Sequence, residues 1–259
     1  MGAENRITVG VDTTAIEQLA KIGVPTVRRS ELVAADHFPG WVKKRFEKTF
    51  HWNSQKATSA VTRYEFTKRA MDIFFLALAA PFLVPVLAVV ALLIKLEDGG
   101  PVFYRQLRYG RNGKPLWMLK FRTMVTNSEE MIKELAHLNE VEWPEFLITN
   151  DPRVTRIGKI LRRTSLDELP QLLNVAKGEM SLIGPRASSV PPSAYNEAHL
   201  SRLDVMPGIA GPGHIWRRSE VFERKCELDI AYVKYRCTTL DLYMLVQTVL
   251  AAVLKPKGN

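Results

Sequence analysis

The sequence predicts an α-rich α/β domain associated with a membrane through one re-entrant, proline-broken helix, with amphipathic helices at the interface. Three observations carry this reading. An apolar run from Ala70 to Leu96 is uncharged between Ile73 and Ile94 and is interrupted by Pro81 and Pro85. A stretch of basic and aromatic residues from Gly40 to Trp52 stands just before it. From Pro101 onward, short strand and helix patterns alternate. The chain divides accordingly into an N-terminal extension at 1–67, a membrane helix at 68–97 and a cytoplasmic domain at 98–259.

At a rise of ~1.5 Å per residue the apolar run is long enough for the ~30 Å hydrocarbon core of a bilayer. Neither proline has an N–H, so the carbonyls of Ala77 and Pro81 lose their helical partners. Four residues apart, the two prolines share a helix face, and their bends add. Lys43, Lys44, Arg45, Lys48, Arg63, Lys68 and Arg69 precede the run; Lys95, Arg105, Arg108, Arg111 and Lys114 follow it. Orientation normally follows an excess of Lys and Arg on one flank. An excess on both favours a helix that enters and leaves on the cytoplasmic face over one that spans. The length of the run argues against a buried core helix.

A chain of 259 residues, 46% of them hydrophobic, has room for one domain with appendages. Its net charge of +9 suits an anionic membrane surface, a phosphorylated substrate or nucleic acid. The apolar run favours the first two, and no basic low-complexity arm or zinc-finger spacing supports nucleic acid. Cys226 and Cys237 are too few for a disulfide framework and wrongly spaced for a C-x-x-C site, which predicts reduced thiols. The N-terminus lacks the basic-then-apolar build of a signal peptide, and Arg6 stands where myristoylation requires Ser or Thr.

Residues 1–39 carry no chemical motif; Thr13 to Lys21 reads as a short helix before Gly23–Pro25. In WVKKRFEKTFHW, Val42, Phe46 and Phe50 repeat every fourth position between Lys and Arg. That is the pattern of a basic amphipathic helix lying on a membrane surface. After the turn at Glu97–Pro101, PVFYRQL and PLWMLKFRTM flank Asn112-Gly113 as the strands of a hairpin. Lys120 and Arg122, two apart, share a strand face. Two such cations ordinarily mark a solvated surface, and a phosphate site is the rarer reading. Asn127 or Ser128 is placed to cap a helix through about Leu138. From Pro152, Val154, Ile157, Ile160 and Leu161 recur with helical period, with Arg162 and Arg163 at the helix end.

Ser165 and Glu168 match a capping box, so a helix is expected from Ser165–Asp167 to Lys177, with Gly178 as its left-handed stop. Asp167 and Glu168 in its first turn are explained by the helix dipole alone. Arg162, Arg163 and Arg186 around them make an anion site the competing reading. Met180–Ile183 reads as a buried strand, and Gly184-Pro185-Arg186 as a turn presenting a guanidinium fork suited to phosphate. Pro207–Gly213 reads as a second rigid turn, Glu227–Lys234 as a helix, and Leu240–Leu254 as an apolar helix too short to span. No H-E-x-x-H, G-x-S-x-G or Rossmann glycine pattern is present.

KFRTM (120–124), ITNDPRVTRIGKILRRTSLDELPQLLNVAKGEMSLIGPR (148–186), PGIAG (207–211) and ELDIAYV (227–233) strongly resemble the bacterial sugar transferases, the monotopic phosphoglycosyl transferases. The resemblance covers about Lys68 to Leu254. It implies transfer of a sugar 1-phosphate from a UDP-sugar to a polyprenyl phosphate such as undecaprenyl phosphate, with release of UMP, at the start of polysaccharide assembly. It places the enzyme at the bacterial inner membrane with its catalytic domain on the cytoplasmic face. By the same resemblance Asp167 is the nucleophile that carries a covalent phosphosugar, and Glu168 orients or deprotonates the acceptor phosphate. Lys120, Arg122, Arg162 and Arg186 bind phosphate, Mg²⁺ sits with Asp167 and Glu168, and Pro85, aided by Pro81, kinks the membrane helix. The chain departs from the family pattern at Val84 (often Ser), Ala187 (Pro) and Pro212 (often Trp); the last two bear on sugar or base recognition. Two alternatives stand beside this reading: a membrane glycosyltransferase releasing UDP, and an inactive relative acting as a scaffold. Residues 1–60 are open to homodimerisation and to partner docking alike.

Overall fold

The structure, a computed structural model, describes residues 40–41, 54–140, 148–189, 191–195, 197–215 and 222–254. Its longest element is α1, Ser54–Asp98, whose helical hydrogen bonding runs on past Pro81 and Pro85. By length and composition α1 is able to cross or sit in a membrane. No residue from Ile73 to Val89 is buried; Phe74 is 62% exposed and Phe82 75%. The expected basic helix at 40–52 lies outside the described residues apart from Gly40 and Trp41, whose indole meets Tyr243 edge-on at 6.3 Å.

Both ends of α1 are held by the globular part. Toward its start, Tyr64 Oη and Lys68 Nζ donate to Asp241 Oδ2 at 2.7 and 3.0 Å. Arg69 donates to the carbonyls of Val175 and Ala176. The buried Asp72 Oδ1 accepts from Ser181 Oγ and Leu182 N, both at 3.1 Å. Toward its end, Val90 and Ile94 pack with Phe121 and Leu161. There Glu97 Oε1 accepts from Arg156 N at 2.7 Å, and Asp98 pairs with Arg122.

Strands β1 (Phe103–Tyr109) and β2 (Pro115–Phe121) form the expected antiparallel hairpin, in register from Phe103↔Phe121 to Tyr109↔Pro115. Asn112 and Gly113 take φ of 57° and 69° in its turn. Leu116 and Met118 point from one face of β2 into a core with Val175, Met180 and Ala187. Lys120 follows them on that face. Phe121, on the other, stacks on Phe103.

Helix α2, Arg156–Thr164, is capped by Thr155, whose Oγ1 accepts from Gly158 N at 2.9 Å. Two expectations are corrected beyond and before it. Ser165 makes no capping hydrogen bond; at φ 60° it ends α2 in the left-handed region and turns the chain. A 3₁₀ turn, Leu166–Glu168, follows, and α3 begins only at Gln171 and runs to Lys177. Pro170 has no N–H to continue a helix from the preceding turn, so the expected single helix is divided. Gly178 ends α3 at φ 78°, as expected. Earlier, the helix expected through Leu138 appears only as the 3₁₀ turns Glu130–Ile132 and Ala136–Leu138. Neither turn buries a residue, so packing lends a helix no support there.

Strand β3, Ser181–Ile183, pairs in parallel with β4, Gly208–Ala210. The stretch read as a rigid turn is thus partly a strand. Glycine makes this possible, since a Cβ on Gly208 would lie 2.1 Å from Gly184 N. Short helices α4 (Glu197–Leu200) and α5 (Pro212–Ile215) precede α6 (Phe222–Tyr235) and α7 (Thr238–Leu254). Ile183, Leu228, Ala231, Tyr232, Leu240 and Met244 close the second core.

The seat of α2 sets where the chain turns at Ser165. A Cβ on Gly158 would lie 2.1 Å from the carbonyl oxygen of Thr123, just beyond β2. Gly158→Ala is expected to destabilise the protein by about 1–3 kcal/mol through forced displacement of α2. Thermal unfolding in detergent would show a melting temperature several degrees lower, and an unchanged value would mean that α2 moves freely against β2.

Candidate active site

Three neighbouring segments build a small cationic cradle around two acids. The left-handed turn at Ser165 brings Asp167 and Glu168 back against β2, and β3 delivers Arg186 from its far end. Arg186 grips Glu168 as a fork: Nη1 donates to Oε2 at 3.0 Å and Nη2 to Oε1. Lys120 Nζ approaches Glu168 Oε1 at 3.8 Å from β2. The Asp167 charge acts on Lys120, Arg162 and Arg186 alike. Arg162 Nε donates to Thr123 Oγ1 at 2.9 Å, which ties the end of α2 to the end of β2.

Asp167, Glu168, Lys120, Arg162 and Arg186 are therefore brought together. Arg122 is not. Strand β2 ends at Phe121, and the Arg122 guanidinium turns back to Asp98 and to the carbonyl of Pro101 at 2.5 Å. Its contact with Asp98 holds that carboxyl down to about 2, the Arg122 hydrogen bond being the main cause. Arg122 thus seals the end of α1 to the hairpin. Pro81 and Pro85 lie in the exposed middle of α1, away from the acids along the chain.

Sequence reasoning missed what holds Arg186 in place. The Arg186 carbonyl accepts from Arg202 Nη2 at 3.2 Å, and the same guanidinium donates to Asp229 Oδ2 at 2.5 Å and to Tyr195 Oη at 3.0 Å. Arg202 and Asp229 are 7% and 3% exposed, so the pair is closed off from water. Burial pushes the Asp229 carboxyl up, against the pull of Arg202. Gly208 N also donates to the carbonyl of Pro185 at 2.8 Å, so the turn bearing Arg186 is held from β4 as well. One signal was readable: Cys226, Tyr232 and Val233, three and four residues from Asp229, give it an apolar helix face, where an acid needs a buried partner. Nothing in the sequence singles out Arg202.

Among the described residues no group of three or more His, Cys, Asp and Glu side chains is placed to hold a metal. The two acids offer hard carboxylate oxygens of the kind Mg²⁺ takes, but only as part of a set completed by phosphate or water. Burial lowers the Lys120 ammonium from its ordinary value; Glu168 opposes this and Arg186 adds to it. The cradle is suited to a polyanion that competes with Glu168 for Arg186 and Lys120.

The sequence profile of the bacterial sugar transferases matches residues 63–255. The UDP-glucose:undecaprenyl-phosphate glucose-1-phosphate transferase of Escherichia coli (strain K12) is 39% identical over 196 residues, 70% of this chain and 39% of that protein. Exopolysaccharide production protein ExoY of Rhizobium meliloti (strain 1021) is 37% identical over 193 residues, 72% of this chain and 85% of ExoY. The UDP-galactose-lipid carrier transferase of Erwinia amylovora is 39% identical over 202 residues, 74% of this chain and 41% of that protein. The chain thus spans about two fifths of the Escherichia and Erwinia relatives and most of ExoY.

The lowered Lys120 value has a consequence for anion binding. Attraction to an anion is present while the ammonium keeps its proton and is lost as pH rises, starting below the usual lysine range. Calorimetry with pyrophosphate should show affinity weakening on that alkaline limb. Lys120→Arg should carry the affinity to higher pH, because a guanidinium stays charged. Superimposable profiles for the two proteins would remove Lys120 from the cradle.

Proposed function

Because the chain belongs to the bacterial sugar transferase family, we propose that it transfers a sugar 1-phosphate from a UDP-sugar to a polyprenyl phosphate at the inner face of a bacterial cytoplasmic membrane, releasing UMP, at the start of exopolysaccharide assembly. The carrying observation is the convergence of Lys120, Arg162 and Arg186 on the adjacent acids Asp167 and Glu168. The activities named for the Escherichia and Erwinia relatives supply the donor and acceptor classes.

In this mechanism an Asp167 carboxylate oxygen attacks the β-phosphorus of the donor. The bond from that phosphorus to the bridging oxygen breaks, and UMP leaves with the electron pair. The product is an aspartyl phosphosugar, the covalent form of an activated carboxylate nucleophile. A polyprenyl phosphate oxygen then attacks the same phosphorus, frees Asp167 and forms the polyprenyl diphosphosugar. Lys120, Arg162 and Arg186 face the charge that builds at phosphorus in each step. Glu168 orients the acceptor phosphate and takes any proton it retains. Mg²⁺, held by Asp167 and Glu168 together with the donor phosphates, would neutralise the diphosphate.

A lipid acceptor requires the site to lie at headgroup level. Helix α1 supports that placement: both its ends are gripped by the same globular part, while nothing between Ile73 and Val89 is buried. We read α1 as re-entrant, bent at Pro85 with help from Pro81, so that the chain leaves the bilayer on the face it enters.

Incubated with radiolabelled UDP-sugar and no acceptor, the protein should release UMP in a single stoichiometric burst and become labelled. Asp167→Asn should abolish both, by 10³-fold or more (an order-of-magnitude figure for loss of a covalent nucleophile). Release of UDP, or full turnover by Asp167→Asn, would overturn the mechanism. For topology, reporter tags at residues 1 and 259 should both be cytoplasmic; a periplasmic tag would rule out the re-entrant helix.

A further inference from the structure

One face of the hairpin packs into the protein through Leu116 and Met118. An antiparallel sheet with one face on the core ordinarily turns polar residues outward on the other. Here the outer face is apolar. Phe103, Leu107 and Trp117 are 50%, 44% and 58% exposed. The register sets Leu107 opposite Trp117, and Phe103 opposite Phe121, on that face. Arg105, opposite Leu119, is its one charged residue. Exposed apolar side chains gathered in this way mark a surface that meets a partner or a membrane.

Two contacts fix how the hairpin lies relative to α1. At its open end Phe121 stacks on Phe103 and packs with Val90 and Ile94 of α1. At its turn Arg111 Nη2 donates to Glu65 Oε1 at 2.8 Å, near the start of α1. The hairpin therefore bridges the two ends of α1. In the re-entrant reading above, on which this inference rests, both ends meet the same face of the bilayer. A hairpin tied to both lies along that face and does not stand away from it.

We propose that the outer face of the hairpin, with Phe103, Leu107 and Trp117 around Arg105, is a membrane-docking surface that rests at the headgroup level of anionic lipid. Its apolar strip continues that of α1, where Leu92, Leu93 and Leu96 are exposed on the turns around Ile94. An indole is suited to the boundary between headgroups and acyl chains. The charge agrees, since Lys95, Arg105 and Lys114 are exposed around the strip and no acid lies on the face. Lys120 projects from the opposite side of β2, so the depth at which the hairpin rests sets the height of Lys120 above the bilayer.

The test uses the full-length protein in nanodiscs of mixed phosphatidylcholine and phosphatidylglycerol. Trp117→Phe replaces one exposed aromatic ring with another and keeps the fold; the emission it removes reports Trp117. That emission should be lost when the phosphatidylcholine is brominated high on its acyl chains, and should resist acrylamide in the water. Quenching by acrylamide but not by bromolipid would put the face in water and overturn the inference. Resistance to both would overturn it as well, since protein would then cover the face, whether a second copy or another segment of this chain. The added emission of Phe82→Trp tests α1 separately and should be quenched by lipid brominated deep in its chains. If it is not, the membrane reading of α1 itself fails; if it is and Trp117 stays unquenched by bromolipid, only the docking surface falls.

Discussion

The buried pair of Arg202 and Asp229 is the constraint on which the site depends. One guanidinium holds the carbonyl of Arg186, the acid of α6 and the hydroxyl of Tyr195, so three segments meet at one charge. A buried ion pair of this kind adds little net stability over a well-packed apolar pair, yet breaking it costs about 3–5 kcal/mol because one charge is left alone. Its contribution here is positional. With the backbone of Arg186 fixed, its guanidinium fork is held within reach of Glu168.

The same logic governs the contact between the globular part and α1. Tyr64, Lys68 and Asp72 at one end of α1, and Glu97 and Asp98 at the other, are all polar groups paired with the globular part. From Ile73 to Val89 the helix carries only apolar residues, and none of them is buried. Polar clamps at both ends and a bare apolar middle suit a helix that meets protein at its ends and is able to sit in a membrane between them. The outer face of the hairpin meets the helix at Phe121, which couples β2, and with it Lys120, to the end of α1.

The features legible in the sequence were those set by local chemistry. Asn112-Gly113 announced a turn with positive φ, Gly178 a helix stop, and Met180–Ile183 a buried strand. The motifs around Asp167 marked the two acids and their cations. Features that failed were those in which a distant group outbid a local one. Ser165 and Glu168 have the spacing of a capping box, but Arg186 takes the Glu168 carboxylate and Ser165 is spent on reversing the chain. Arg122 shares a strand pattern with Lys120, but Asp98, 24 residues away, takes its guanidinium. The glycines of Pro207–Gly211 read as a turn because a turn is their commonest use; here they let β4 approach β3 closely enough to pair.

By itself the sequence determined the apolar helix with its two prolines, the hairpin, and the presence of adjacent acids among arginines, because periodicity and turn chemistry act over a few residues. Only the tertiary structure decided which cations face those acids. It placed Arg186 and Lys120 on Glu168, turned Arg122 away, hid Arg202 and Asp229 behind the cradle, and left the Gln171 amide buried without a hydrogen-bond partner among the described residues. Charge pairing is settled by where segments meet in space, and that depends on the packing of cores assembled from the whole chain.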